Sequence, residues 1–198
     1  MKKGLLILGG ILLVIVLVIM WGVGKYNTLV GLDESVNSAW AQVQNQYQRR
    51  MDLIPNLVAT VQGVANFEKS TLQAVIEARA KATQVTLSPQ LLNDPQAFQR
   101  FERSQGELSS ALSRLLVTVE QYPTLKANEN FLQLQSQLEG TENRISVERK
   151  RFNEVVQSYN ATIRTIPTSF IAALGGFQQK QYFQAQPGAE TAPKVQFQ

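Results

Sequence analysis

From Gly4 to Val23 the chain carries no charge and consists almost wholly of Leu, Ile, Val and Gly. A helix of about 20 residues, rising roughly 1.5 Å each, spans roughly 30 Å, the hydrocarbon thickness of a bilayer. Trp21 and Tyr26 stand at its far end, where amphipathic aromatic rings favour the headgroup region. The run is longer than the apolar core of a cleaved signal peptide, about 7–15 residues, and no Ala-x-Ala cleavage site follows it. It therefore reads as a retained signal-anchor, with Gly4, Trp21, Val23 and Tyr26 marking the transmembrane helix. Lys2 and Lys3 precede it. Positive residues stay on the cytoplasmic side, so the expected topology is a single-pass cell-membrane protein with a cytoplasmic N-terminus and an extracytoplasmic remainder, periplasmic or extracellular.

That remainder lacks the side chains of a zinc hydrolase or a thiol enzyme. The sequence has no Cys, which excludes disulfides, thiolate metal sites and a Cys nucleophile. It also has no His, which removes the commonest general base and the commonest metal ligand. With Lys2 and Lys3 assigned to the anchor, the net charge of +4 falls to near neutrality, and no basic stripe stands out. Nucleic acid is not an expected partner.

From Tyr26 onward apolar residues recur in steps of three and four, the signature of amphipathic helices. The first stripe runs Leu29, Leu32, Val36, Trp40, Val43, Tyr47 and Met51. Pro55 then either kinks this helix or starts another. The stripe resumes in similar register through Leu57, Val61, Leu72, Val75 and Ala82, which favours one long kinked helix over a reversal. Thr83 to Pro95 carries no stripe and reads as the loop that turns the chain back. Asp94-Pro95 is an N-cap and first-turn pair for the next helix. Its stripe, Phe98 through Leu108 and Leu115 to Tyr122, is the cleanest in the sequence. A last long helix spans Phe131 to Ile166. Pro167 breaks it, and a short helix over Phe170–Leu174 stops at Gly175-Gly176. The expected fold is all-α: a transmembrane anchor over 1–25, an antiparallel bundle of about four long helices over 26–183, and a flexible tail over 184–198.

Several polar residues fall on or beside these stripes. Gln105, Thr141 and Glu148 interrupt them, and Asn153 and Asn160 sit one heptad apart. With Glu142 and Asn143 they form a candidate buried polar or interaction group. One reading is a ligand site inside the bundle; the other is a set of satisfied contacts that fix helix register, as single core Asn residues do in coiled coils. Glu142 and Arg144 offer an acid–base pair. Glu77 with Lys81 and Glu148 with Arg151 are spaced as surface ion pairs. Glu68, Glu107 and Glu142 are the carboxylates a metal would need, but without a His no metal is expected. Trp40 and Tyr47 read as packing residues, and Gly175-Gly176 lacks the partners of a phosphate loop. No catalytic residue and no cofactor site is expected.

In combination, the blocks Tyr26-Asn27-x-Leu29-Val30, Arg49-Arg50-x-Asp52-Leu53-Ile54-Pro55-Asn56-Leu57-Val58, Gln121-Tyr122-Pro123-x-Leu125-Lys126-Ala127 and Thr141-Glu142-Asn143-x-Ile145 resemble the LemA family. So do Tyr159-Asn160, Gly176-Phe177, Tyr182-Phe183 and Val195-Gln196-Phe197. Phe152-Asn153 departs from a usual Tyr-Asn but keeps an aromatic and an amide. The resemblance implies an N-terminal membrane helix, an antiparallel helical bundle and no established enzyme activity. It also hints at an envelope membrane protein, such as a metalloprotease, as a partner. The expected protein is therefore a non-enzymatic envelope scaffold in contact with the lipid bilayer and self-assembling as a homo-oligomer; the alternative is a ligand-binding or sensory accessory module acting with another membrane protein.

Overall fold

The computed structural model describes residues 2–64 and 67–184. Helix α1 runs unbroken from Lys2 to Gln62. It is followed by α2 (Lys69–Thr83), a 3-10 turn (Pro89–Asn93), α3 (Pro95–Val119), the single turn α4 (Pro123–Lys126), α5 (Glu129–Arg164) and α6 (Thr168–Leu174). There is no strand among the described residues.

The helix boundaries follow from local chemistry. Asp94 Oδ1 accepts from the backbone N–H groups of Gln96 and Ala97, at 2.9 and 3.0 Å, and Pro95 fills the first helical position of α3. Asn128 Oδ1 caps α5 by accepting from Phe131 N–H at 3.1 Å. Gly176 has φ +74°, a conformation open to glycine at little cost, and it turns the chain after α6.

The expectation of one kinked helix reaching Ala82 is half corrected. Pro55 lies inside α1, but the chain reverses shortly after Gln62 and α2 is a separate helix. Gly63 weakens helix continuation there, and the backbone closes turns from Val64 N–H to Val61 C=O and from Phe67 N–H to Val64 C=O. Apolar stripes on two antiparallel helices happen to share a register across the turn.

The reversal also explains how α1 tolerates Pro55. A proline has no N–H, so the carbonyl four residues earlier, that of Met51, loses its helical donor. Arg79 of α2 replaces it: its Nε donates to Met51 O at 3.1 Å. The proline thus creates the acceptor to which the returning helix is pinned.

Beyond α2 the chain turns again, so that α3 runs alongside α1, and α5 returns antiparallel to it. Arg50 of α1 faces Glu142 of α5, and Trp40 faces Phe152. Two cores result. The distal one, farther from the apolar end of α1, is mainly aliphatic: Ile54, Leu57, Val61, Val75, Leu108 and Leu115 are buried together, with Phe67 and Phe131 beside them. The proximal one is aromatic, with Trp40, Tyr47, Phe98, Phe101, Phe152, Tyr159 and Phe183. The segment expected to act as a plain loop, Thr83 to Pro95, buries Leu91 and Leu92 in the proximal core through its 3-10 turn.

The apolar length of α1 stands clear of all this. None of the residues in its most hydrophobic window, within Leu6–Gln62, is buried, and this helix is long and apolar enough to cross a membrane. The expected C-terminal tail, 184–198, lies outside the described residues beyond Gln184.

Candidate functional site

Two polar assemblies lie along the bundle, and together they take up most of the polar residues picked out by the helical stripes. The first is centred on Arg50, whose side chain is almost fully buried. A buried guanidinium is costly unless its N–H groups meet acceptors. Nη1 donates to Glu142 at 2.7 Å and to Ser109 Oγ at 2.9 Å, and Nη2 donates to Gln105 Oε1. The guanidinium carbon also sits 5.1 Å from the centre of the Tyr47 ring. One side chain therefore ties α1 to both α3 and α5. Of the three guanidinium nitrogens of Arg50, Nε is the one left without a partner.

The second assembly holds residues 177–184, which run back along the bundle as an extended strap. Asn160 Nδ2 donates to Lys180 C=O, and Lys180 N–H donates to Asn160 Oδ1, both at 2.9 Å. Asn153 makes the same pair with Phe183, again at 2.9 Å in both directions. Each amide thus satisfies both backbone groups of one strap residue, as a neighbouring strand would. The spacing is physical: seven helical residues advance about 10.5 Å, and three extended residues about 10 Å. Helix and strap therefore stay in step from one Asn to the next.

Further bonds complete the strap. Gln181 N–H donates to Leu92 C=O at 3.1 Å, and Gln184 N–H donates to Glu102 Oε1 at 3.1 Å. Arg149 pairs with Glu102 at 3.3 Å and lies 4.4 Å from the Phe183 ring centre. Lys180 pairs with Asp33 at 3.0 Å. The Phe183 ring packs among Trp40, Phe98, Phe101 and Phe152.

Beside Arg50 a groove of about 940 Å³ opens among α1, α2, α3 and α5, lined by Tyr47, Arg50, Lys81, Gln105, Ser109 and Glu142. The titratable groups nearby do not read as activated ones. Burial raises the Tyr47 hydroxyl above its ordinary value, against the lowering charges of Arg149 and Arg50. Burial also raises Glu102, partly offset by the Gln184 N–H and by Arg149. Tyr159 is pushed up to about 12, first by burial and then by the negative charge of Asp33. A phenol held protonated is a poorer nucleophile at neutral pH.

The residues singled out from sequence thus separate into different places. Gln105 and Glu142 meet on Arg50, while Asn153 and Asn160 meet the strap. Thr141 is buried, but its Oγ1 donates within its own helix to Gln137 C=O at 2.7 Å. Asn143 is exposed and joins neither group. Glu142 pairs with Arg50 and not with Arg144. Lys81 reaches Glu107 of α3 at 3.3 Å, whereas Glu148 does face Arg151 at 3.8 Å. Among the described residues no group of three or more His, Cys, Asp or Glu gathers to hold a metal. On the apolar stretch of α1 and just past it, Trp21 and Tyr26 are both exposed, as are Gly4 and Val23.

Sequence reasoning passed over Arg50, Arg79, Glu102 and Arg149. For Arg50 a signal existed: it lies three residues after Tyr47 and four before Ile54, on the buried stripe itself.

The family model described as LemA family matches residues 39–197. Magnetosome protein MamQ 2 of Paramagnetospirillum magneticum is 27% identical over 183 residues, covering 84% of this chain and 67% of the relative. Magnetosome protein MamQ of Magnetospirillum gryphiswaldense gives the same identity and coverage. Protein LemA of Metamycoplasma hominis is 25% identical over 166 residues, 82% of this chain and 70% of its own length. None of these names denotes an enzyme.

Proposed function

We propose, from the premise that this chain belongs to the LemA family, that it is a non-enzymatic scaffold or interaction protein of the bacterial cell envelope, tethered by α1 and self-associating through its bundle. Lys2 and Lys3 hold the N-terminus in the cytoplasm, and the bundle faces the extracytoplasmic side. The observation that carries this reading is how the buried polar side chains are used. Arg50, Gln105, Asn153 and Asn160 are engaged in holding helices and strap together. Relatives named for the magnetosome support a role tied to a cellular structure more than to a reaction. A tethered bundle is also concentrated in the plane of the membrane, where weak self-contacts suffice for assembly. Amine cross-linking of intact membranes at native abundance tests this. A ladder of multimers, or a reproducible membrane-protein adduct, is expected. A purely monomeric species with no adduct contradicts it.

A second reading, a small-ligand sensor acting with another membrane protein, is favoured by one feature: the groove beside Arg50 has the volume of a ligand site and borders a buried guanidinium with a free Nε. Thermal shift of the full-length protein against small anionic metabolites addresses it. A raised Tm that Arg50→Met abolishes supports the sensor, and a flat response removes its motive.

A further inference from the structure

We infer that α6 is a second membrane contact: its outer face, with Ile166 just before it, lies in the headgroup–acyl boundary beside the exit of α1. The inference rests on the reading of Gly4–Val23 as the membrane span.

Helix α6 is held at a defined level. Ile171 Cδ1 lies 4.0 Å from the point a Cβ on Gly22 would occupy, so α6 packs against the end of the apolar run. The Phe177 ring, just beyond α6, meets Tyr26 edge-on at 5.6 Å between centroids. The contact is close: a Cβ on Gly175 would fall 2.8 Å from Phe177 Cε2 and 3.1 Å from Tyr26 Cε2, which only glycine avoids. So α6 sits where the anchor passes from hydrocarbon into the headgroups.

Its two faces differ sharply. Thr168 and Ala172 are buried against the bundle. On the other side Ile166 is 77%, Phe170 66% and Leu174 90% exposed. Phe170 and Leu174, four residues apart within α6, lie on one face of the helix, and Ile166 is exposed in the turn just before it. Large apolar side chains this exposed mark a surface that something covers. The occupant follows from position. The face continues the exposed apolar surface of α1, and Trp21 and Tyr26 mark the same level, as interfacial aromatics do. The register that sets Arg50 opposite Glu142 brings Arg164, at the end of α5, close to Thr28, and Lys25 lies one turn below. Apolar side chains with cations just above them suit lipid and its phosphates better than a second copy of the bundle.

A short segment anchored at this depth would limit the tilt and rotation that a single helix leaves free. It would present one fixed side of the bundle to partners in the membrane plane.

The chain has no Cys, so single labels are clean. Full-length protein carrying Leu12→Cys, Phe170→Cys, Leu174→Cys or Val117→Cys is spin-labelled in nanodiscs of phosphatidylethanolamine and phosphatidylglycerol. Collision with oxygen is then compared with collision with a water-soluble nickel chelate. All four sites are exposed, so folding is spared. Labels at 170 and 174 are expected to favour oxygen, at shallower depth than 12, while 117 favours nickel. Nickel access at 170 and 174 with 12 in lipid overturns the inference alone. Shielding of 170 and 174 from both reagents also overturns it, in favour of a protein partner. Nickel access at 12 overturns the membrane span and the inference with it.

Discussion

The distal and proximal halves of the bundle solve one packing problem in two ways. In the distal half α2 supplies a fourth helix, and four helical surfaces interlock mainly through Leu, Ile, Val and Ala, with the Phe67 and Phe131 rings beside them. In the proximal half α2 has ended, and the fourth wall is the extended strap of residues 177–184. A strap has no helical ridges and brings unpaired backbone groups. The proximal core packs aromatic rings against the strap and uses two Asn side chains to satisfy the strap's backbone. Core composition follows from what the fourth wall is made of.

The largest expected effect separates the halves. Trp40 touches four rings of the proximal core. Trp40→Ala is expected to cost about 3–5 kcal/mol in denaturant unfolding and to expose strap amides to hydrogen exchange. Leu115→Ala, in the distal core, is expected to cost about 2–5 kcal/mol while strap amides keep their protection relative to the rest of the fold. Equal loss of strap protection in both variants would erase the distinction between the halves.

At the boundary between them, the order of two effects is diagnostic. Glu142→Ala leaves the buried Arg50 without its carboxylate and is expected to cost about 1–3 kcal/mol, moderated because the Glu142 side chain is 51% exposed. Arg50→Met removes the charge itself and is expected to cost less, because an apolar side chain suits a buried site. The reverse order would mean that the cluster stabilises by net attraction.

In the distal half, Arg79→Met is expected to cost about 0.5–1.5 kcal/mol, because Met51 C=O loses its substitute donor. In a Pro55→Ala background the loss should shrink, since residue 55 then supplies an N–H of its own. Additive costs in the double variant would show that the proline and the arginine are unrelated.

The last effect is absent at neutral pH and confined to alkaline pH. The Tyr159 hydroxyl ionises near 12 in the fold and near 10 in the unfolded chain. Between these values the unfolded state releases the proton first, so stability falls as pH rises through the window. Tyr159→Phe is expected to flatten that fall in urea titrations at successive pH values, and an unchanged slope would assign it to other groups, Tyr47 first.

Legibility from sequence divides along the same line. The apolar N-terminal helix, the α3 stripe and the Asp94 cap were readable because each depends on residues within a turn or two of one another. The end of α1 was misread because an unbroken stripe outweighed Gly63, and two antiparallel helices can carry stripes that happen to stay in phase. The strap was invisible for a deeper reason. Its segment has no helical period, and its partners, Leu92, Glu102, Asn153 and Asn160, lie far away along the chain. The heptad spacing of Asn153 and Asn160 was evident, yet nothing local showed that an extended segment would match it. Arg50 was passed over because a charge on a stripe reads as an interruption until its acceptors are placed.

The strap as the fourth wall is tested most directly by amide hydrogen exchange at Lys180 and Phe183 in the full-length protein. Both amides should be protected in the natural sequence. Asn160→Ala should speed exchange at Lys180, and Asn153→Ala at Phe183, by about tenfold or more, the equivalent of one lost buried hydrogen bond, with Val75 in α2 unchanged. Free exchange at both positions in the natural protein, or rates that ignore the two substitutions, would contradict it.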